Sequence, residues 1–166
     1  MRIILIAALS QNKVIGNHGT LPWYVPEDLQ RFRLRTLNHP VLIGRKTYES
    51  IGSPLPHRRT VVLSSHSIPD IETYSSLDKA LDALRDEECV FIAGGAQVYK
   101  EALPLANELY LTHLKFIVDG DTFFPDFDYV TQNFSIVERE DTEIAEYIHY
   151  IRKFNPGLCI EEKRVA

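Results

Sequence analysis

The chain predicts an α/β fold: one domain over residues 1–166, with a central, mainly parallel twisted sheet, an antiparallel C-terminal edge hairpin and about four flanking helices. Three observations carry that reading. Apolar runs at 2–9, 40–43, 60–64, 89–93 and 109–115 alternate with helical stretches at about 26–37, 46–51, 77–85 and 96–103, the pattern of parallel strands joined by crossover helices. Beyond them the character changes: 134–139 and 147–154 alternate apolar and polar residues with no helix between, as an antiparallel edge hairpin does. Finally, 166 residues can bury roughly two-thirds of their unfolded surface in one core. No repeat, low-complexity segment or linker divides the sequence.

Each element has its own local reason. The first run, Arg2 to Leu9, carries one charge and superficially suggests a secretion signal. Gln11-Asn12-Lys13 follows at once without a cleavage site, so a buried strand fits better. No stretch approaches the ~20 apolar residues of a membrane helix. Pro26 suits the first helical position, where its missing N–H costs nothing. Glu27 and Asp28 then complement the helix dipole. Phe32 lies four residues after Asp28, on the same face, with Leu29 alongside. A carboxylate on that face is expected to be partly buried and to need a partner.

Three strand ends look prepared for phosphate. Val41-Leu42-Ile43 runs into Gly44, Arg45, Lys46 and Thr47, placing two cations and a hydroxyl where a helix begins, a spot receptive to anions. The spacing is not that of a P-loop. Leu63-Ser64-Ser65-His66 ends a strand with two hydroxyls and a titratable ring, although ordinary turn chemistry also places serines there. Phe91-Ile92-Ala93 runs into Gly94-Gly95 and then Ala96-Gln97-Val98-Tyr99. Two glycines admit a ligand close to backbone, but the three-glycine dinucleotide fingerprint is absent. In open α/β sheets ligands gather beyond the carboxyl ends of the strands.

Net charge is −5, unevenly spread. Residues 29–69 hold seven cations, Arg31, Arg33, Arg35, Arg45, Lys46, Arg58 and Arg59, against one acid, Glu49. That is +6, leaving −11 elsewhere, which suggests an anionic ligand gathered by the first half. A solvated helix face accounts equally for Arg31 and Arg35. Nucleic acid fits poorly, because the chain is acidic overall and its cations are not interleaved with aromatics. Cys89 and Cys159 lack metal-type spacing and read as free thiols of a reducing cytoplasm.

Taken in order, the pieces resemble the dihydrofolate reductases of the bacterial chromosomal type over nearly the whole chain. The matching pieces are Leu5-Ile6-Ala7-Ala8, Val14-Ile15-Gly16, Leu21-Pro22-Trp23, Pro26-Glu27-Asp28-Leu29 with Phe32, Gly44 to Gly52, Pro54-Leu55-Pro56, Leu63-Ser64-Ser65, Gly94-Gly95, Leu111-Thr112-His113, and Gly120-Asp121-Thr122 before Phe124-Pro125. The resemblance implies NADPH-dependent reduction of 7,8-dihydrofolate to tetrahydrofolate, with hydride passing to C6 of the pterin and a proton to N5, in support of one-carbon metabolism. It implies that Asp28 bonds the pterin, with Thr112 completing the network, and that Leu21 and Trp23 close over the reaction. The N5 proton would arrive through water. A carboxylate in that apolar setting should have a raised pKa.

Further roles follow from the same resemblance. Ile6, Ala7, Ala8, Phe32, Ser50, Ile51, Leu55 and Tyr99 would wall the substrate. Arg58 would pair with its α-carboxylate, where a bidentate fork suits, with Arg33 near the second carboxylate. Ala8, Ile15, Gly16, Asn17, Gly19 and Leu21 would meet the cofactor from the side of a mobile lid, residues 12–21. Gly44, Arg45, Lys46, Thr47, Leu63, Ser64, Ser65 and His66 would meet it from two strand ends, with Arg45, Ser64, Ser65 and His66 at the adenosine 2′-phosphate. Ala93, Gly94, Gly95, Ala96, Gln97, Val98, Tyr99 and Thr122 would complete the cofactor site. A cis peptide is expected between Gly94 and Gly95, and Asp121 should bond back toward Gly16. No metal is implied, and the chain is expected to act as a cytoplasmic monomer that also takes antifolate-type molecules. The sequence departs from the family pattern at Leu21, where methionine is common. Ala93 replaces a larger aliphatic residue, and Ser75 a basic one in some relatives. A tail beyond Phe154 exceeds the usual ending.

Two other readings compete. A pyrimidine reductase of riboflavin synthesis shares the fold, but the set Trp23, Asp28 and Phe32 argues against it. A catalytically silent nucleotide-binding module would keep only the cofactor half.

Overall fold

The computed structural model describes residues 1–154. In chain order its elements are β1 (Arg2–Leu9), β2 (Val14–Gly16), α1 (Pro26–Thr36), β3 (Val41–Gly44), α2 (Arg45–Ile51), β4 (Thr60–Leu63), β5 (Glu72–Tyr74) and α3 (Leu77–Ala83). There follow β6 (Cys89–Ile92), α4 (Ala96–Ala102), β7 (Glu108–Leu114), β8 (Thr122–Phe123), α5 (Phe127–Asn133), β9 (Phe134–Asp141) and β10 (Ala145–Arg152). A 3₁₀ turn at Leu103–Leu105 follows α4.

Eight strands form one sheet in the order β5-β4-β3-β6-β1-β7-β10-β9. Pairs from β5 to β7 are parallel; β10 is antiparallel to both β7 and β9. The central strands are apolar throughout because helices cover both faces: Leu5, Leu42, Val61, Val90, Ile92 and Leu109 are wholly buried. The sequence order thus turns at β1, which lies between β6 and β7, the kind of switch point that opens a crevice above a sheet.

Four elements escape the sequence pattern. β2, β5 and β8 have three, three and two residues, too short to show a period. α5 holds through its cap: the Asp126 carboxylate accepts from the Tyr129 N–H at 3.1 Å. β2 and β8 pair with each other outside the main sheet, so part of the expected lid is a small antiparallel ribbon. Cys89 is a buried free thiol. Cys159 lies outside the described residues, as does the expected tail beyond Phe154.

Candidate active site

One cleft of about 1140 Å³ opens above the sheet, walled by β1, α1, α2, α4, β7, β10 and the loops after β3, β4 and β6. Single small-molecule sites occupy ≈ 300–1,000 Å³, so this space accommodates a nucleotide and a second ring system together.

At one end stands Asp28. Pro26 opens α1, and Asp28 takes the third helical position with its N–H bonded to the Val25 carbonyl at 3.1 Å. Its Oδ1 accepts from the Thr112 hydroxyl at 2.6 Å. Thr112 is presented by β7 directly beside Ala8 of β1. Burial raises the Asp28 pKa, opposed by the Thr112 bond and the Arg31 charge and assisted by Glu27. Of the acids lining the cleft, Glu101, Asp121, Glu138 and Glu140 are exposed and Asp28 is not. Below it lie Ile6, Ala7 and Ala8; opposite are Phe32, Ile51 and Leu55, with Ser50 at the rim. Tyr99 is buried, its hydroxyl donating to the Ile6 carbonyl at 2.8 Å. Burial and the Asp28 charge drive that phenol's pKa upward.

Arg58 reaches the same wall. Its Nε donates to the Pro56 carbonyl at 2.9 Å and its Nη1 to the Thr36 hydroxyl at 3.2 Å. It forms no ion pair among the described residues; burial and the neighbouring Arg33 charge lower its pKa. Two cations therefore face the cleft mouth together. Other members of the basic segment are committed elsewhere. Arg59 pairs with Glu72 and Glu87 away from the cleft, and Arg35 stacks on the Tyr110 ring at 3.7 Å.

The other end is built from backbone and hydroxyls. The peptide Gly94–Gly95 is cis. The Gly44 N–H donates to the Gly94 carbonyl at 2.8 Å, and the Ala93 N–H to Leu42 at 3.0 Å, which brings the β3 and β6 ends edge to edge. A Cβ on Gly95 would stand 3.2 Å from the Thr47 hydroxyl oxygen, and one on Gly44 3.2 Å from Val98 Cγ2. Lys46, Ala96 and Gln97 line the same end, and Leu63, Ser64 and Ser65 bound it from β4. Arg45 lines it with its guanidinium bound to Glu49 at 2.8 Å. Ser75, also in the lining, accepts from Lys79 Nζ at 3.0 Å.

The lid ribbon contributes Ile15, Gly16, Gly19, Leu21 and Thr122. The Asp121 N–H donates to the Gly16 carbonyl at 3.2 Å, and its carboxylate accepts from the His18 N–H at 3.1 Å. Bonds from Thr122 and His18 hold the Asp121 pKa down. The Gly120 backbone passes so close that a Cβ there would stand 2.8 Å from the Gly16 carbonyl oxygen.

Three sequence-assigned residues do not line the cleft. Trp23 turns into a satellite cluster with Val25, Leu114 and Phe116, meeting the Phe116 ring edge-on at 6.2 Å. Asn17 is consumed by a backbone bridge to Thr20. His66 sits in the turn after β4, its N–H donating to the Ser64 hydroxyl at 3.2 Å. Conversely, the cleft includes Tyr110, Tyr147 and His149, which the sequence reading passed over. They alternate along β7 and β10 in step with Thr112, so period-2 counting outward from Thr112 could have found them.

The family model for dihydrofolate reductase matches residues 2–155. The chain is 49% identical over 130 residues to the dihydrofolate reductase type 3 of Salmonella typhimurium, covering 76% of this chain and 80% of that protein. It is 40% identical over 166 residues to dihydrofolate reductase HdrB of Haloferax volcanii, covering 92% and 84%. Among solved structures it resembles dihydrofolate reductase from Enterococcus faecalis complexed with NADP(H) and RAB-propyl, with a TM-score of 0.84, 30% identity, and coverage of 92% and 97%.

Proposed function

The chain belongs to the dihydrofolate reductase family, which reduces 7,8-dihydrofolate to 5,6,7,8-tetrahydrofolate with NADPH, and on that premise we propose how its own residues divide the work. When bound, NADPH supplies the hydride that C6 of the pterin receives. Asp28 holds the pterin through its 2-amino group and N3 side, and its negative charge favours the pterin protonated at N5. The observation that carries this is the Asp28–Thr112 bond of 2.6 Å in an otherwise apolar wall. It fixes the carboxylate before substrate arrives, and groups held in advance at the reacting end cost no reorganisation. Because the other acids of the lining are exposed, the N5 proton travels through water. The raised pKa of Asp28 falls when a cationic pterin pairs with it.

Phe32, Ile51 and Leu55 pack the rings, and Arg58, free of any acid among the described residues, pairs with the α-carboxylate; Arg33 serves the second. At the far end, Thr47 and the Gly94–Gly95 backbone fit a pyrophosphate, since a Cβ on Gly95 would crowd the Thr47 hydroxyl at 3.2 Å. Arg45, Ser64 and Ser65 serve the 2′-phosphate. Leu21 and the β2–β8 ribbon cover the nicotinamide, and opening of that cover limits turnover. The cleft is complete within one chain, which supports action as a monomer on small molecules alone; the buried free Cys89 thiol suits the cytoplasm.

The test is a steady-state assay following absorbance at 340 nm with dihydrofolate and either NADPH or NADH. Turnover with NADPH far above NADH is expected. Cofactor binding without turnover would leave a silent nucleotide-binding module, and equal use of both cofactors would remove the phosphate role of Arg45, Ser64 and Ser65.

A further inference from the structure

Six non-glycine residues among the described ones hold a left-handed backbone, and five of them are asparagine, aspartate or histidine, the types that tolerate it. The sixth is Lys13, at φ 66°. It closes the turn that leads from β1 into β2. The Ser10 N–H donates to the Val14 carbonyl at 3.0 Å, and the Lys13 N–H to the Ser10 carbonyl at 2.9 Å. Gln11, Asn12 and Lys13 thus form a three-residue hairpin loop, whose last position ordinarily goes to glycine. A lysine there is strained, and such strain persists only where the surroundings fix it.

What fixes it is a ring. The half-buried Lys13 places its ammonium 4.2 Å from the centroid of Phe127, the first residue of α5, and forms no ion pair among the described residues. Arg139 and Glu146, which line the same hollow, are bonded to each other at 3.1 Å. Phe127 is held in turn: it meets His113 edge-on at 5.4 Å and Phe124 at 6.5 Å, and His113 is bonded to the Tyr150 hydroxyl at 2.9 Å. Burial and the charges of Lys13 and Arg139 push the His113 pKa down to about 4. That imidazole is therefore neutral at pH 7 and sets no further cation beside the ammonium. A cation over a ring face gains strength as it leaves water.

The Lys13 backbone is also the root of the lid ribbon. Its carbonyl accepts from the Phe124 N–H at 2.9 Å, next to the Val14–Phe123 pair of β2 and β8. Ile15, Gly16 and Leu21, farther along the same segment, line the cleft. We propose that Lys13 is a positioning residue for the lid: its ammonium, seated on the Phe127 ring, clips the root of the β2–β8 ribbon to α5 and so sets where the lid stands over the cofactor. The clip accounts for the strained backbone, since glycine would relax the turn but carry no side chain to α5. The proposal rests on the reading that this ribbon covers the nicotinamide.

The test compares Lys13→Met, Lys13→Gly and Lys13→Arg in the full chain. Amide hydrogen exchange at Phe124 and Asp121 reads the ribbon in the free protein, and NADPH titration reads the lid. In the Met variant both amides should exchange about three- to tenfold faster, and Kd for NADPH should rise by about the same factor, the scale of one partly desolvated cation–ring contact. The Gly variant should melt above the Met variant, because its turn is relaxed, and still bind NADPH as weakly. The Arg variant keeps a cation for the ring and should restore both readouts. The His113 midpoint should rise in the Met and Gly variants and hold in the Arg variant, which locates the charge. Unchanged exchange in the Met variant overturns the proposal. An Arg variant as loose as the Met variant overturns it too, since the charge would then not seat the root. Faster exchange with unchanged NADPH affinity upholds the clip and removes instead the reading of the ribbon as the cofactor's cover. Neither readout involves dihydrofolate, so both are independent of whether the chain reduces it.

Discussion

On the proposed reading, the substrate end of the cleft turns on a carboxylate fixed in advance by a neutral hydroxyl, Asp28 on Thr112. At the cofactor end the corresponding group is an exposed guanidinium tied to an exposed acid, Arg45 on Glu49. The first arrangement is half-buried, and withdrawal from water makes its electrostatics strong and costly to alter. The second is solvated and screened, so its ion pair is weak and exchangeable. On the proposed assignment, the same fold would orient the reacting ring with a preorganised partner and hold a charged tail with one that can be traded. The consequence is a graded set of expected effects, steep at the pterin and shallow at the adenosine.

Asp28→Asn is the largest. Hydride transfer to dihydrofolate should fall by about a hundredfold or more, the scale of losing a positioned acid–base or electrostatic group, and most at neutral and higher pH, where the pterin needs help to stay protonated. NADPH affinity should be nearly unchanged. Stability should move the other way. Because burial keeps the native Asp28 pKa above its unfolded value, the native chain binds that proton more tightly than the unfolded one. This favours folding fully below the unfolded carboxylate pKa, and the benefit is lost as pH rises through the native value. The Asn variant should melt with the parent below about pH 3.9 and above it at pH 7–8. Stopped-flow rates and melting curves across pH decide both. An active variant with an unchanged pH profile would erase the contrast between the two ends.

The contrast also explains what could be read from sequence. Asp28 was legible because Pro26 fixes where α1 begins and Phe32 recurs one turn later. The strand ends at Gly44 and Gly94 were legible because glycine followed by a helix marks a turn. Trp23 and His66 were misplaced relative to the cleft for a physical reason. Neighbours in sequence do not share a direction: Trp23 precedes α1 and turns toward Phe116, while His66 sits in the turn after β4 with its N–H on the Ser64 hydroxyl. β2, β5 and β8 were invisible because two or three residues carry no period. Tyr110 stands two residues before Thr112 on β7 and was open to period-2 counting, whereas Tyr147 and His149 were hidden by a hairpin whose register only pairing with β7 reveals.

Arg58→Ala comes next. It sits at the substrate end but on the rim, so its effect should be intermediate. KM for dihydrofolate should rise by roughly ten- to a hundredfold, the worth of a charge-assisted pair at about 1.5–3 kcal/mol, with kcat changed little. Arg58→Lys should recover only part, because an ammonium lacks the bidentate fork. A kcat loss equal to the KM change would mean that Arg58 acts in the transition state, and the two ends would no longer differ in kind.

Arg45→Ala should cost less, up to about tenfold in KM for NADPH at low salt, with NADH unaffected and the penalty shrinking as ionic strength rises, as expected of a solvated charge within a Debye length of its target. A penalty independent of salt would mean that the site dries out when the cofactor binds.

Glu49→Gln is the smallest and the most discriminating. Glu49 occupies Arg45 at 2.8 Å, with both side chains about half exposed, so under the proposed role of Arg45 a 2′-phosphate would have to displace it before taking the guanidinium. Exposed pairs of this kind are worth about 0.2–1 kcal/mol, and removing the competitor should therefore lower KM for NADPH by about two- to threefold while leaving KM for dihydrofolate alone. If KM for NADPH rises instead, Glu49 is a support that aims Arg45, and the cofactor end is preorganised after all, on the same principle as Thr112 holding Asp28. The sign of a twofold effect thus decides whether the two ends follow one rule or two.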